Sequence, residues 1–190
     1  MPTVELEYKE GSKVPIYIEN LNRHDNDLFE KQIRESGDVQ SKKTNVKAEM
    51  TQWLLTEYES FRSLGVDIVV NHLPHLSKPT VDGSVFDWII TALWGNIYHK
   101  GDYTDPHDHM PAAYSFTYYV KVPEGSAPLI LDDLGEIWTP KEGDLVLFPA
   151  HIKPSVPQHN IDENRISIAG NLTTAWDIKG KYVYNATDIV

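Results

Sequence analysis

The chain of 190 residues contains no cysteine, which excludes a disulfide framework and any thiolate metal site. It has no apolar run near the ~20 residues a membrane helix needs, so no membrane span is expected. Positive charge is scarce: 17 Lys and Arg against 28 Asp and Glu give a net charge of −11, and the sequence pI is about 5.1. A surface that acidic repels phosphate backbones, and no basic cluster exists beyond Lys42–Lys43, so nucleic acid is not expected as a partner. The start, MPTVELEYKE, lacks the basic-then-apolar pattern of a secretory signal, and a cytoplasmic location is the expectation.

What the chain does have is turn-forming residues, 12 prolines and 11 glycines, which fit a β-rich fold better than a helical bundle. The length suits one domain with a sizeable core, spanning 1–190. Residues 1–19 alternate in part around Gly11–Ser12 and read as two short strands. Asn20–Ser36, with Leu28, Phe29 and Ile33 before Gly37, reads as a helix. From Asn45, the apolar positions Val46, Met50, Trp53, Leu54, Tyr58 and Phe61 follow helical spacing, and this second helix is expected to stop near Gly65. Val66–Gly83 reads as an irregular connector with one short strand at Asp67–Val70. From Ser84 the pattern turns to β, with strands expected at Val85–Tyr98, Tyr114–Val122, Leu129–Asp132, Ile137–Thr139, Asp144–Phe148 and Arg165–Leu172. Short strands separated by turns every ~8–12 residues point to a sandwich, jelly roll or barrel. The organisation is thus a helical or irregular flank over 1–83, a β core over 84–172 and a C-terminal extension over 173–190.

The densest metal-binding chemistry is PHDH. In extended backbone, residues two apart share a face, so His107 and His109 would converge on one point while Asp108 faces away. Neutral imidazole suits iron, zinc or nickel.

In order, Tyr98, Gly101, Pro106, His107 and position 109 are followed by GDLVLFPA (Gly143–Ala150), SVP (Ser155–Pro157) and RISIAGNL (Arg165–Leu172). Together they resemble the iron(II)- and 2-oxoglutarate-dependent oxygenases, close to the prolyl-4-hydroxylase-like group and its bacterial and phage relatives. The resemblance covers roughly 84–172. It implies a mainly β fold, a double-stranded β-helix or cupin-like jelly roll with flanking N-terminal helices. It also implies iron(II) on a facial set of three ligands, with 2-oxoglutarate as co-substrate and hydroxylation of a small-molecule or peptide substrate, a prolyl side chain first. Arg165, planar and always charged, suits the far carboxylate of the co-substrate. Ser167 shares its strand face and Tyr98 would also reach the co-substrate.

Two positions depart from the family pattern. Position 109 is histidine where a carboxylate is usual, removing a negative charge from the metal's surroundings. The distal histidine falls at position 154, which is Pro154. The nearest replacements are His151, which a rebuilt loop would bring to the metal, and His159, in a polar stretch and expected to be solvated. Three readings follow: an active oxygenase on His107, His109 and His151; a jelly-roll binding or structural module that has lost turnover; and a three-histidine cupin-type dioxygenase that does not use 2-oxoglutarate. His72, His75 and His99 read as surface or turn histidines, and Trp53, Trp88 and Trp94 as core. The parity of Tyr118 and Tyr119 sends one of them inward. Asn171 lines the cavity or sits as a satisfied buried amide. The aromatic-rich strands leave room for a homodimer.

Overall fold

The C-terminal strands are apolar on both faces, as Asp144–Phe148 show by being all buried, and the fold is what covers both. A computed structural model describes residues 2–40, 43–77, 80–81, 84–85 and 87–175. Its strands are β1 (Thr3–Glu7), β2 (Lys13–Asn20), β3 (Val46–Lys47), β4 (Glu49–Met50), β5 (Thr80–Val81), β6 (Ser84–Val85), β7 (Asp87–Tyr98), β8 (Tyr103–Thr104), β9 (Tyr114–Lys121), β10 (Leu129–Leu131), β11 (Glu136–Trp138), β12 (Asp144–Pro149), β13 (Pro154–Ser155) and β14 (Arg165–Ala175), and its helices are α1 (Asn26–Ser36) and α2 (Glu59–Asp67). A seven-stranded sheet runs in the order β1-β2-β12-β9-β14-β7-β4, and a smaller one runs β11-β10-β13. A backbone bridge from Val156 to Thr104, and the pairing of Thr104 with Val46, carry the smaller layer on through β8 and β3. The chain is a mainly β jelly roll, a double-stranded β-helix.

Strand parity divides the large sheet's residues between its two faces. On one face, Leu93, Ile97, Phe116, Tyr118, Leu145, Leu147, Ile166 and Ile168 pack against Phe29 and Ile33 of α1 and Phe61 and Leu64 of α2. On the other, Tyr98, Arg165 and Ser167 face the smaller layer, with Tyr98 opposite Arg165 and Asn96 opposite Ser167 in register. The same register fixes the tyrosine pair: the Tyr118 hydroxyl donates to Asn26 at 2.7 Å on the helix side, while Tyr119 lies under Arg165.

The N-terminal half differs from the sequence expectation. Helix α1 begins only after Asp25, whose carboxylate accepts from the Leu28 amide at 3.0 Å, because Asn20 still belongs to β2. Residues 45–58 are not helical. Instead they cover the open edge of β7, with Met50 paired to Asn96 and Leu55 and Leu93 bonded through the Leu55 amide at 2.9 Å. The α2 segment then continues as a π-helical turn, Ile68–His72, where a strand is expected. Trp53 is not core: it is 42% exposed, with its ring edge-on to Trp94 at 5.1 Å. Residues 176–190 of the expected C-terminal extension lie outside the described residues. Among the described residues, no helix is long and apolar enough to cross a membrane.

Candidate functional site

Between the two layers lies a cavity lined by Trp94, Asn96, Tyr98, Thr104, His107, His109, Thr117, Pro154, Ser155, Arg165 and Ser167, among others. At one end sits Arg165, whose head is fixed because β14 places it between two aromatic strands. Its guanidinium lies 4.7 Å from the centre of the Tyr98 ring and 5.0 Å from that of Tyr119. The residue is 1% exposed, yet among the described residues its Nε and Nη1 find no hydrogen-bond partner. Buried charged donors are normally satisfied, so an unpaired guanidinium in a cavity calls for an anion. Burial pushes the Tyr119 phenol up to about 12, against the pull of the Arg165 charge, so Tyr119 is a neutral donor at neutral pH. Tyr98 spends its hydroxyl on Thr104 Oγ1 at 2.7 Å, leaving its ring as one wall of the guanidinium's slot.

His107 and His109 sit in an irregular loop rather than on a strand, yet their rings converge, with centres 4.8 Å apart. The Nδ1–H of His107 donates to the Asp105 carbonyl at 2.8 Å, so Nε2 carries the lone pair. Metal-binding histidines are commonly oriented in this way. His109 is held by its amide, which donates to the Ala150 carbonyl at 2.8 Å, and by Trp94 stacked at 6.3 Å. Burial, and then the neighbouring His107, push its pKa down to about 4, so the ring is neutral at neutral pH. Asn171, near His109, accepts from the Ser115 hydroxyl at 2.7 Å.

The other candidates fall elsewhere. His151 is exposed, packs edge-on against Tyr8 at 5.6 Å and does not line the cavity. It follows Ala150, the residue that anchors His109, and the chain there directs its side chain outward. His159 is fully buried rather than solvated: its Nδ1 accepts from the Ala127 amide at 3.3 Å, and its Nε2 meets the Glu163 carbonyl at 2.7 Å. It pins loops and has no nitrogen to spare. His72 is also buried, away from the cavity, at the π-helical turn. Pro154 itself lines the same cavity as the two imidazoles. Among the described residues, no group of three His, Asp or Glu that would hold a metal exists.

The sequence reading passed over Asn96, Thr104, Thr117 and Ser155 as lining residues, and left open which of Tyr118 and Tyr119 faces inward. For Asn96 the signal was present, since it shares the parity of Tyr98 on β7. For Thr104 and Ser155 none was available, because short strands β8 and β13 are defined only by their partners.

The fold is shared with solved structures of 2-oxoglutarate/iron(II) oxygenases. No family model matches the sequence, and no curated protein matches it. Solved structures do match in fold. A viral collagen prolyl hydroxylase from Paramecium bursaria Chlorella virus-1, in complex with 2OG, is 14% identical with a TM-score of 0.65, over 85% of this chain and 96% of that one. HygX from Streptomyces hygroscopicus, with nickel and 2-oxoglutarate bound, is 8% identical with a TM-score of 0.64, over 85% and 83%. A Trichoplax adhaerens prolyl hydroxylase, in complex with a peptide fragment of a hypoxia inducible factor oxygen degradation domain, is 13% identical with a TM-score of 0.59, over 83% of each chain.

Proposed function

We propose that this chain is a 2-oxoglutarate-dependent oxygenase whose co-substrate pocket is complete and whose metal rests on two protein imidazoles. The observation that carries the reading is the buried guanidinium of Arg165, whose Nε and Nη1 find no partner among the described residues. The distal carboxylate of the oxo-acid would satisfy it with a charge-assisted pair, with Ser167 as an added hydroxyl donor. His107 and His109 would hold a first-row metal, iron(II) by the fold's precedent, and the fixed Nδ1–H of His107 supports that role. Three protein donors, as the resemblance implies, do not fit the described residues. The bound metal would supply the oxygen chemistry, while Arg165 sets the oxo-acid's position and the Tyr98 and Tyr119 rings keep water from its anchored end. The substrate class is a small molecule or a peptide, as in the complexes of HygX with hygromycin B and of the Trichoplax enzyme with its peptide.

Pro154 favours a second reading, a co-substrate-binding module without turnover. Calorimetric titration of 2-oxoglutarate in excess cobalt(II) tests the shared part. The wild type is expected to bind, and Arg165→Ala to lose at least about tenfold in affinity, the scale of a charge-assisted contact. An unchanged Kd in Arg165→Ala would sink both readings. Succinate formation with iron(II), oxygen and 2-oxoglutarate then separates them, since only the oxygenase produces it.

A further inference from the structure

We infer that the rim of the cavity docks an extended basic peptide, with Trp53 and Asp108 as its two contacts. Calling that peptide the substrate rests on the reading above; the docking itself does not. Trp53 belongs to the stretch laid over the edge of β7, where its carbonyl accepts from the Leu93 amide at 2.7 Å. Trp94 links this edge to the interior. It lines the cavity, stacks on His109 at 6.3 Å and meets Trp53 edge-on at 5.1 Å. Trp94 is buried, whereas Trp53 and its neighbour Leu54 are exposed. An indole left open beside a cavity is a ready anchor, since tryptophan supplies much apolar area and dominates many interfaces. The loop that carries the two imidazoles supplies the other contact. Asp108 and Met110 are both exposed there, the Met110 amide donating to Asp108 Oδ1 at 3.2 Å.

Charge decides the sign of the occupant. The two segments that form the rim, 48–58 and 101–113, hold Glu49, Glu57, Asp102, Asp105 and Asp108 but neither lysine nor arginine. The lysines that flank them are engaged, Lys47 with the Thr44 carbonyl at 2.6 Å and Lys100 with Asp162 at 2.9 Å. Glu49 faces His99 at 3.0 Å, and Asp102 accepts from the His99 amide at 2.8 Å. Asp108 is left as the exposed carboxylate of the imidazole loop. A cation is attracted both to a carboxylate and to the face of an indole, so lysine and arginine side chains fit this rim. Size decides between a small cation and a chain. The cavity, about 420 Å³, is lined by neither Trp53 nor Asp108, and a space of that size is filled by one small organic molecule. A partner that reaches both rim residues is therefore extended, with side chains two apart on the same face.

The test is calorimetric titration at low ionic strength, where exposed charges are least screened, with neither metal nor oxo-acid added. The probes are the blocked peptide GRGKGRG, its neutral counterpart GQGQGQG, and spermidine as a small cation. The basic peptide is expected to bind the wild type at least about tenfold more tightly than either of the others. Trp53→Leu keeps an apolar cover on Trp94 but has no π face, and is expected to lose about threefold or more; Trp53→Phe, which keeps a ring, should lose less. Asp108→Asn is expected to lose about twofold or more. Glu35→Gln makes the same change of charge on α1, which packs on the other face of the large sheet, and should leave the affinity unchanged. The inference is overturned if the basic peptide does not bind, if the neutral peptide or spermidine matches it, or if Trp53→Leu keeps wild-type affinity. Equal losses in Asp108→Asn and Glu35→Gln would overturn it too, by showing attraction to the overall negative charge alone. The co-substrate reading fails separately, through 2-oxoglutarate binding in Arg165→Ala, so either can fall while the other stands.

Discussion

Arg165 is a residue whose burial works against the fold that holds it. Its cation–π contacts with Tyr98 and Tyr119 offset part of the desolvation of the charge, at roughly 0.5–2 kcal/mol each. Two of its nitrogens nevertheless stay unpaired among the described residues, and replacing such groups by apolar side chains of similar volume is commonly neutral or stabilising. Arg165→Met is therefore expected to hold or raise stability by up to about 2 kcal/mol in urea denaturation while abolishing 2-oxoglutarate binding. A loss of more than about 1 kcal/mol would instead mark Arg165 as a structural residue. Arg165 was legible in the sequence because a charged residue at the head of an apolar strand, with Ser167 two positions on, is a local pattern. His159 was not: besides the nearby Glu163 carbonyl, it is held by Gly101, Asp102 and Ala127, and nothing in QHNIDEN announces those distant partners. His151 was misread for the related reason that proximity in sequence to the site says nothing about which way a side chain leaves a turn.

At the scale of elements, the C-terminal strands were readable because apolar runs bounded by turn residues mark strands buried on both faces, as in β12, where Asp144–Phe148 are all buried. The stretch 45–58 was not, because Val46, Met50 and Leu55 are buried one at a time along an extended path over the edge of β7, and the helical spacing of Val46, Met50, Trp53, Leu54 and Tyr58 is a coincidence. Glycine at 170 belongs to this scale too. It pairs with Phe116 across β9 and β14, and a Cβ there would lie 2.5 Å from the phenyl ring and 2.9 Å from the Ala92 carbonyl oxygen. Only a bare backbone lets the ring lie across the strand, a reason for glycine in a strand interior. Gly170→Ala is expected to destabilise by about 1–3 kcal/mol, the usual range for overpacking. Adding Phe116→Leu should recover part of that, giving a non-additive cycle in chemical denaturation. Strict additivity would show that the ring and the glycine do not share the space.

For the molecule as a whole, the question is what ties the N-terminal flank to the sheet, and the answer is a polar cluster at the π-helical turn rather than apolar packing alone. Arg23 chelates Asp67, with its Nη2 2.7 Å from Oδ1, and also donates to His72 Nε2 at 2.7 Å. His72 Nδ1–H then points to the Tyr17 hydroxyl at 2.7 Å and to Glu19 at 3.0 Å. His24 and Asn71 complete the shell of Asp67, and His75 stacks on Tyr17. Residues from β2, the β2–α1 loop, α2 and the π-turn thus meet at one neutral imidazole. Burial lowers the His72 pKa below its ordinary 6.5, despite the opposing pull of Asp67 and Glu19. A lowered histidine means that below about pH 6.5 the unfolded chain takes up a proton that the native one refuses, so stability falls as pH falls. His109, pushed down to about 4, adds a second proton of the same sign. Asp67 is desolvated, but the bonds from Arg23, Asn71 and His24 outweigh this and hold its carboxyl well below the usual range. Its contribution persists through that window and is lost only at pH below about 4. Unfolding free energy is therefore expected to drop as the pH falls below 6.5, His109 contributing at most about 1.4 kcal/mol per pH unit and His72 adding to it. His72→Asn keeps a side-chain donor and acceptor but cannot titrate. It should lower stability at pH 7.5 while reducing the acid slope to that of roughly one proton. Urea denaturation at pH 7.5, 6 and 5 measures both, and a variant with the full wild-type slope would show that His72 is not the group that takes up the proton.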